Sequence, residues 1–239
     1  MTDVADVPAY RRLSAIVPVY NERSTVGEVI RRMRRVELPV DLEIVVVDDA
    51  STDGSEKVLS ALEDSTLRVI RHPVNQGKAA SIRTALTVAR GDLVLIQDAD
   101  LEYDPDDWPR MLAPILKGKA KVVYGSRFIG ERRTMRYWPH LGNRFLSLVT
   151  DVLYNVNLSD IETGYKLFDR TVLDELTIES DRFDFEPEIT AKLLRSGHRI
   201  YEVPVAFAGR EQDEGMKFTR ADTVRALATL FKYRFKKMG

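Results

Sequence analysis

Between Ser14 and Gln97, four short runs rich in Val, Ile and Leu alternate with segments of helical period. Such alternation has few solutions in a soluble chain: parallel strands joined by crossover helices, with side chains buried on both faces of the sheet. Ser14 to Tyr20, Glu43 to Asp49, Leu67 to His72 and Asp92 to Gln97 are expected strands, and Ser24 to Val36, Ser55 to Glu63 and Lys78 to Arg90 expected helices. Asp53 with Glu56 has the spacing of a capping box, whereas Ser24 is followed by Gly27 and starts its helix weakly. Asp106 to Leu116 continues as a helix and Lys121 to Tyr124 as a strand. The second half is less regular: helical spacing over Trp138 to Tyr154, Glu186 to Ser196 and Ala221 to Lys237, strand-like patterns over Thr163 to Phe168 and Ile200 to Phe207. The expected architecture is α/β, a mostly parallel central sheet flanked by helices. One domain, 1–218, is followed by a basic amphipathic helix, 219–239.

No Pro/Gly/Ser-rich linker or repeat divides the 239 residues, a length suited to one well-buried α/β domain. The formal net charge of −1 gives no general attraction for nucleic acid. The absence of cysteine excludes disulfides, thiolate metal sites and a cysteine nucleophile. No window approaches the ~18 uninterrupted apolar residues of a membrane span, and Met1 to Arg12 has acids and Pro8 where a signal peptide would be basic and then apolar. A cytoplasmic location is expected.

Three expected strand ends carry acids, and sheets of this kind collect ligands at the carboxyl ends of their strands. Leu93-Val94-Leu95-Ile96 runs into Gln97-Asp98-Ala99-Asp100-Leu101-Glu102. Alternating carboxylates there give Asp98, Asp100 and Glu102 as oxygen ligands for a hard divalent cation, Mg²⁺ or Mn²⁺, that holds a diphosphate. Ordinary turn chemistry before Pro105 is the competing explanation. The second strand ends Asp48-Asp49-Ala50-Ser51-Thr52-Asp53-Gly54, the first Pro18-Val19-Tyr20-Asn21-Glu22. Carboxylates at such an edge accept hydrogen bonds from a base and a ribose.

These motifs, with Asn75-Gln76-Gly77-Lys78, stand in the order and spacing of the family 2 glycosyltransferases, which the chain resembles over nearly its whole length. The resemblance implies the GT-A nucleotide-diphospho-sugar transferase fold. Tyr124-Gly125-Ser126-Arg127, Asn143-Arg144, Thr163-Gly164-Tyr165-Lys166-Leu167-Phe168 and Val203-Pro204-Val205 are similar to the dolichyl-phosphate and polyprenyl-phosphate sugar synthases. That similarity implies inverting transfer of one sugar from a UDP-sugar or GDP-mannose to a polyprenyl or dolichyl phosphate. Pro18, Tyr20, Glu22 and Asp49 match nucleotide-contacting positions, with Lys78 added to the nucleotide-sugar set, and Asp98, Asp100 and Glu102 match the metal cluster, whose third place is Gln in many relatives. Asp100 and Arg127 are the expected catalytic pair, and the loop from Gly209 to Lys217 is expected to close over the diphosphate with Arg210 and Lys217. Glu214-Gly215-Met216-Lys217 departs from the Gly-Glu-Ser-Lys of mannose synthases, which places UDP-sugars slightly ahead.

On the acceptor side, Arg127, Arg132, Arg133, Arg136 and Arg144 bracket Tyr137, Trp138, Phe145 and Leu146. Guanidinium groups suit a phosphate monoester, and an aromatic, aliphatic helix suits a greasy chain at a headgroup boundary. An anionic acceptor needs alignment rather than a base. In Phe183 to Glu188 the Glu-Asp pair of hydroxyl-using relatives is missing; Glu186 and Glu188 are the residues that still point to this region, with helix N-terminal charge the simpler role for Glu188. His72, His140 and His198 have no ligand spacing. The C-terminal helix has three readings: attachment to the cytoplasmic face of a membrane, packing on the domain, or contact with another copy or a membrane-protein partner. Two rival functions stay open, a transferase acting on a saccharide, lipid or small-molecule hydroxyl, and a non-catalytic nucleotide-sugar-binding subunit.

Overall fold

The structure is a computed structural model, describing residues 10–62, 64–129, 137–182, 184–209 and 220–236. The first half alternates as the sequence predicts: β1 (Arg12–Val19), α1 (Val26–Met33), β2 (Asp41–Asp48), α2 (Ser55–Ser60), β3 (Leu67–Arg71), α3 (Lys78–Leu86) and β4 (Leu93–Ile96). A single 3-10 turn at Pro105–Asp107 leads into α4 (Trp108–Leu116), then β5 (Val122–Ser126), α5 (Tyr137–Tyr154), β6 (Lys166–Asp169), α6 (Arg170–Asp174), α7 (Phe185–Arg195), β7 (Ile200–Pro204) and α8 (Arg220–Phe235).

The seven strands lie in the order β3-β2-β1-β4-β6-β5-β7. Pairing is parallel throughout except on the two sides of β6, which runs against β4 and β5. The strand-like pattern over Thr163 to Phe168 starts late because Thr163 is spent on the preceding loop: its hydroxyl bonds the carbonyl of Gly125. Each face of the sheet has its own core. Leu13, Ala15 and Val17 of β1 point with Ile44 and Leu93 to the side of α1 and α4, while Ile16 joins Val45, Ile82 and Phe185 on the side of α3 and α7. Both sets are excluded from water, which is why these strands read as continuous apolar runs.

Two expected helix starts differ. Gly54, at φ 95°, caps α2, and Asp53 instead accepts from the amide and hydroxyl of Ser55 while Glu56 pairs with Arg71. At α1 the cap position is Thr25, whose hydroxyl turns back to Glu22 Oε2 at 2.8 Å.

The described part of the C-terminal segment is helical and packs on the domain. Ala226, Leu230 and Tyr233 of α8 join Leu146 of α5 and Ala191 of α7 in a third apolar cluster. A carboxylate locks this joint: Glu188 Oε1 receives the Tyr233 hydroxyl at 3.0 Å and Lys192 Nζ at 2.6 Å, and both its oxygens take backbone amides, of Glu179 and Ser180. Glu188 is therefore a structural clamp rather than a bare helix-terminal charge.

Candidate active site

The sheet order reverses between β1 and β4, the place where open α/β sheets bind ligands. β1 and β2 end level, Val19 opposite Asp48, and β4 stops lower, opposite Ile16. The loops above β1 and β2 are stitched to each other. Asn21 and Ala50 both hold positive φ, 55° and 60°, an arrangement that costs energy for residues with a Cβ and persists only when neighbours enforce it. The enforcing bonds are Asn21 N to Ser51 Oγ at 3.0 Å, Thr52 N to Asn21 Oδ1 at 2.8 Å and Glu22 N to Ser55 Oγ at 3.0 Å. Pro18 lies within β1, Tyr20 stands exposed on the rim, and Glu22 is buried beneath it.

Asp49 faces inward. Its carboxylate, 3% exposed, accepts from the amides of Gln76 at 2.8 Å and Gly77 at 2.7 Å, and meets His72 Nδ1 at 2.7 Å. Its direct effect is thus to fold the Asn75-Gln76-Gly77-Lys78 loop against the rim. His72, whose Nε2 reaches Thr84 Oγ1 at 2.9 Å, is a site residue that sequence reasoning missed. The register of the folded sheet brings them together: Asp48 pairs with Arg71, so the next residues of the two parallel strands, Asp49 and His72, come side by side.

That loop delivers Lys78. Its Nζ lies 2.7 Å from Asp98 Oδ1 and 2.8 Å from Glu186 Oε1. Burial works against its charge, but the two carboxylates outweigh burial and hold the ammonium above the ordinary lysine range. Glu186, the less committed of the two glutamates in the sequence, is therefore connected to the rim through Lys78. Asp98 itself rests against Gly164, where an added Cβ would come well within 3.0 Å of Asp98 Oδ2. Gln97 sits behind it, fully buried, its Oε1 taking Tyr165 OH at 2.6 Å and Trp108 Nε1 at 3.2 Å.

Alternation ends with β4 at Ile96, so 98, 100 and 102 do not continue as one strand face. Residues 100–102 turn instead, the Glu102 amide donating to Asp100 Oδ1 at 3.2 Å. Among the described residues no three His, Cys, Asp or Glu side chains form a group able to hold a metal ion. The expected triplet of Asp98, Asp100 and Glu102 is not gathered into such a group. The donor chemistry still fits a hard cation, since Asp98 already holds positive charge and has room only because residue 164 is glycine.

On the far side of the cleft, Arg127 is gripped by Asp160: Nε to Oδ2 and NH2 to Oδ1, both 2.7 Å, with the Arg127 amide on Oδ2 at 3.1 Å. Asn143 adds a bond to the same carboxylate at 3.0 Å, and Glu202 holds the amides of Ser159 and Asp160. Burial opposes the Asp160 charge, yet Arg127 beside it keeps the carboxyl below the usual range. Arg144 is exposed on α5. Arg132, Arg133, Arg136, Arg210 and Lys217 lie outside the described residues, as does Phe183.

A helix-flanked sheet with an acidic, lysine-bridged rim at its switch point is the architecture of the GT-A nucleotide-sugar transferases. Residues 14–177 match the model of glycosyl transferase family 2, and the chain belongs to that family. Among relatives, it is 31% identical over 209 residues to an undecaprenyl-phosphate 4-deoxy-4-formamido-L-arabinose transferase of Pseudomonas fluorescens, covering 84% of this chain but 59% of that protein. It is 30% identical over 214 residues to an undecaprenyl-phosphate mannosyltransferase of Micrococcus luteus, covering 85% of this chain and 86% of the relative. The fold is also that of glucosyl-3-phosphoglycerate synthase from Mycobacterium tuberculosis, crystallised with Mn²⁺ and UDP: the TM-score is 0.73 at 22% identity, over 93% of this chain and 80% of that one.

Proposed function

We propose that this protein transfers a sugar, with inversion, from a nucleoside diphosphate, a UDP-sugar ahead of GDP-mannose, to a polyprenyl phosphate at a membrane surface. The observation that carries this reading is the end-to-end likeness to the Micrococcus protein, named as an undecaprenyl-phosphate mannosyltransferase and matched over most of both chains. The rim geometry supports it. The nucleotide would lie over Pro18, Tyr20 and Glu22, on the loop that Asp49 folds, with Arg210 and Lys217 on the diphosphate.

Mg²⁺ or Mn²⁺ held by Asp98 and Asp100 would neutralise charge developing on the leaving diphosphate. Lys78, held by Asp98 and Glu186, provides a fixed positive charge at the same rim. The acceptor phosphate brings its own negative oxygen, so alignment replaces proton removal. Arg132, Arg133, Arg136 and Arg144 are the proposed acceptor-side cations, and Arg127, already shared with Asp160, sets the wall against which the phosphate rests.

Incubation of the protein with a panel of UDP- and GDP-sugars and farnesyl phosphate, with and without Mg²⁺ or Mn²⁺, tests the proposal by mass spectrometry. A phosphodiester-linked sugar is the expected product. A glycoside formed from farnesol, or no product from any donor, overturns it.

A further inference from the structure

Among the described residues, one carboxylate oxygen beside the ion pairs of Lys78 and Arg127, Glu162 Oε1, is buried without a hydrogen-bond partner. Lys78 serves Asp98 and Glu186, and Arg127 serves Asp160. Lys166, buried in β6, donates to the carbonyls of Ile161 and Thr163 and lies 4.3 Å from the Tyr124 ring centroid. The backbone on both sides of Glu162 is thus fastened by one ammonium group. Thr163 is fixed further by its bond to Gly125, and Gly164 by Tyr103 OH at 2.9 Å. On this immobile loop Glu162 Oε1 is buried with no hydrogen-bond partner.

Among the described residues, the charged groups acting on Glu162 include Glu186 from α7, Lys166 from β6, Arg127 just after β5 and Asp160 on its own loop. A buried carboxylate without a donor is costly, and a nearby carboxylate raises the cost; keeping the proton removes both penalties. Burial first and Glu186 second push Glu162 up to about 8, against the partial pull of Lys166 and Arg127. The same burial draws Lys166 down to about 8. These shifts favour a neutral carboxyl beside cationic Lys166 at neutral pH, with Oε1 lacking a hydrogen-bond partner.

We propose that Glu162 is a specificity-determining residue on the acceptor side, its protonated carboxyl donating a hydrogen bond to a phosphoryl oxygen of the acceptor. The inference rests on the phosphate-acceptor reading above. The proton stays on Glu162 throughout, and no bond to it forms or breaks. Ionised, the same group repels the phosphate, so binding weakens as pH rises through about 8.

Steady-state kinetics with farnesyl phosphate between pH 6.5 and 9.5 test this, using whichever donor the wild type turns over, with UDP or GDP titration as the control for folding. The wild type is expected to show acceptor KM rising at least tenfold across pH 8. Glu162→Gln, which keeps an N–H donor but cannot ionise, is expected to lose that rise. Glu162→Ala is expected to raise acceptor KM at least tenfold at pH 7 with donor KM unchanged. An alkaline limb that survives in Glu162→Gln, or unchanged acceptor KM in Glu162→Ala, overturns the inference while leaving the transferase reading intact. A large fall in kcat for Glu162→Gln, together with turnover of farnesol, makes Glu162 a base for hydroxyl acceptors and overturns both.

Discussion

At the scale of single residues, the cleft is held by groups whose polar atoms point at their own backbone. Asp49 is the strongest case. Replacing it with Asn keeps the shape but aims an amide N–H₂ at groups that already donate, the amides of Gln76 or Gly77. A buried donor left facing a donor costs about 1–3 kcal/mol, and the affected loop carries Lys78, so Asp49→Asn should lower both the midpoint of urea unfolding and donor affinity. Gly77 has a sharper constraint, because at φ 101° any Cβ would press within 3.0 Å of the Asp181 carbonyl. Gly77→Ala should destabilise by about 2–3 kcal/mol, read in the same unfolding experiment. Arg127 is a poor probe of acceptor binding. Its removal strands a buried Asp160 carboxylate, which costs on the order of 3–5 kcal/mol, so Arg127→Ala should lose fold before it reports on chemistry. Asp100→Asn is the cleaner test of the rim: turnover should fall at least a hundredfold with an unchanged melting temperature, and full activity would remove Asp100 from the mechanism.

The element whose attachment is most open to test is α8. Burial alone would raise the Glu188 carboxyl, but Lys192 and the amides of Ser180 and Glu179 hold it below the ordinary 4.5. Lys236 and then Lys192 lower Glu179 to about 2. Carboxyls depressed by folding contribute stability above their unfolded pKa and lose it as pH falls through the folded one. Docking of α8 on α7 should therefore be full above about pH 4.5 and weaken towards pH 2. Amide exchange followed by NMR should show residues 226–233 opening in acid while β1 and β2 stay protected. Simultaneous loss everywhere would make the clamp irrelevant to local stability. Elements of this molecule differ in how well the sequence exposes them. β1, β2 and β4 were readable because strands buried on both faces are continuous apolar runs, and their acids mark where the runs stop. The direction of β6 was not, since four residues containing a buried Lys166 show no period. The partners of Asp49 and Glu186 were hidden for another reason: His72 and Lys78 approach from other strands and helices, and no spacing along the chain encodes that approach. Continuing β4's alternation past Ile96 put Asp98, Asp100 and Glu102 on one strand face, whereas the strand stops at Ile96 and the Glu102 amide bonds Asp100.

For the molecule as a whole, the proposed reaction raises the question of how this fold would reach a lipid-bound acceptor. No described helix is long and apolar enough to cross a membrane. Two packed helices nevertheless leave apolar side chains in water. α5 exposes Leu141, Phe145, Leu148 and Val152, spaced as one helical stripe with Arg144 among them. α8 exposes Val224, Phe231 and Phe235, with Arg225, Lys232 and Arg234 in between and Lys236 just after its end. Tyr154 OH bonds the Leu230 carbonyl at 2.7 Å, so the two helices are joined. Fully burying one such side chain is worth about 1.5–3 kcal/mol, and a basic residue near an anionic headgroup about 1 kcal/mol; several of each give reversible attachment without a span. α8 buries Ala226 and Tyr233 against the domain and leaves Val224, Phe231 and Phe235 exposed, so packing leaves a face free for the proposed membrane contact. Phe231→Ser with Phe235→Ser should cut cosedimentation with phosphatidylglycerol vesicles about tenfold, and added salt should weaken what remains. Turnover of soluble farnesyl phosphate by the same variant should be unaffected, since neither phenylalanine belongs to the cleft. Undiminished vesicle binding by a correctly folded double variant would move the membrane contact to another face.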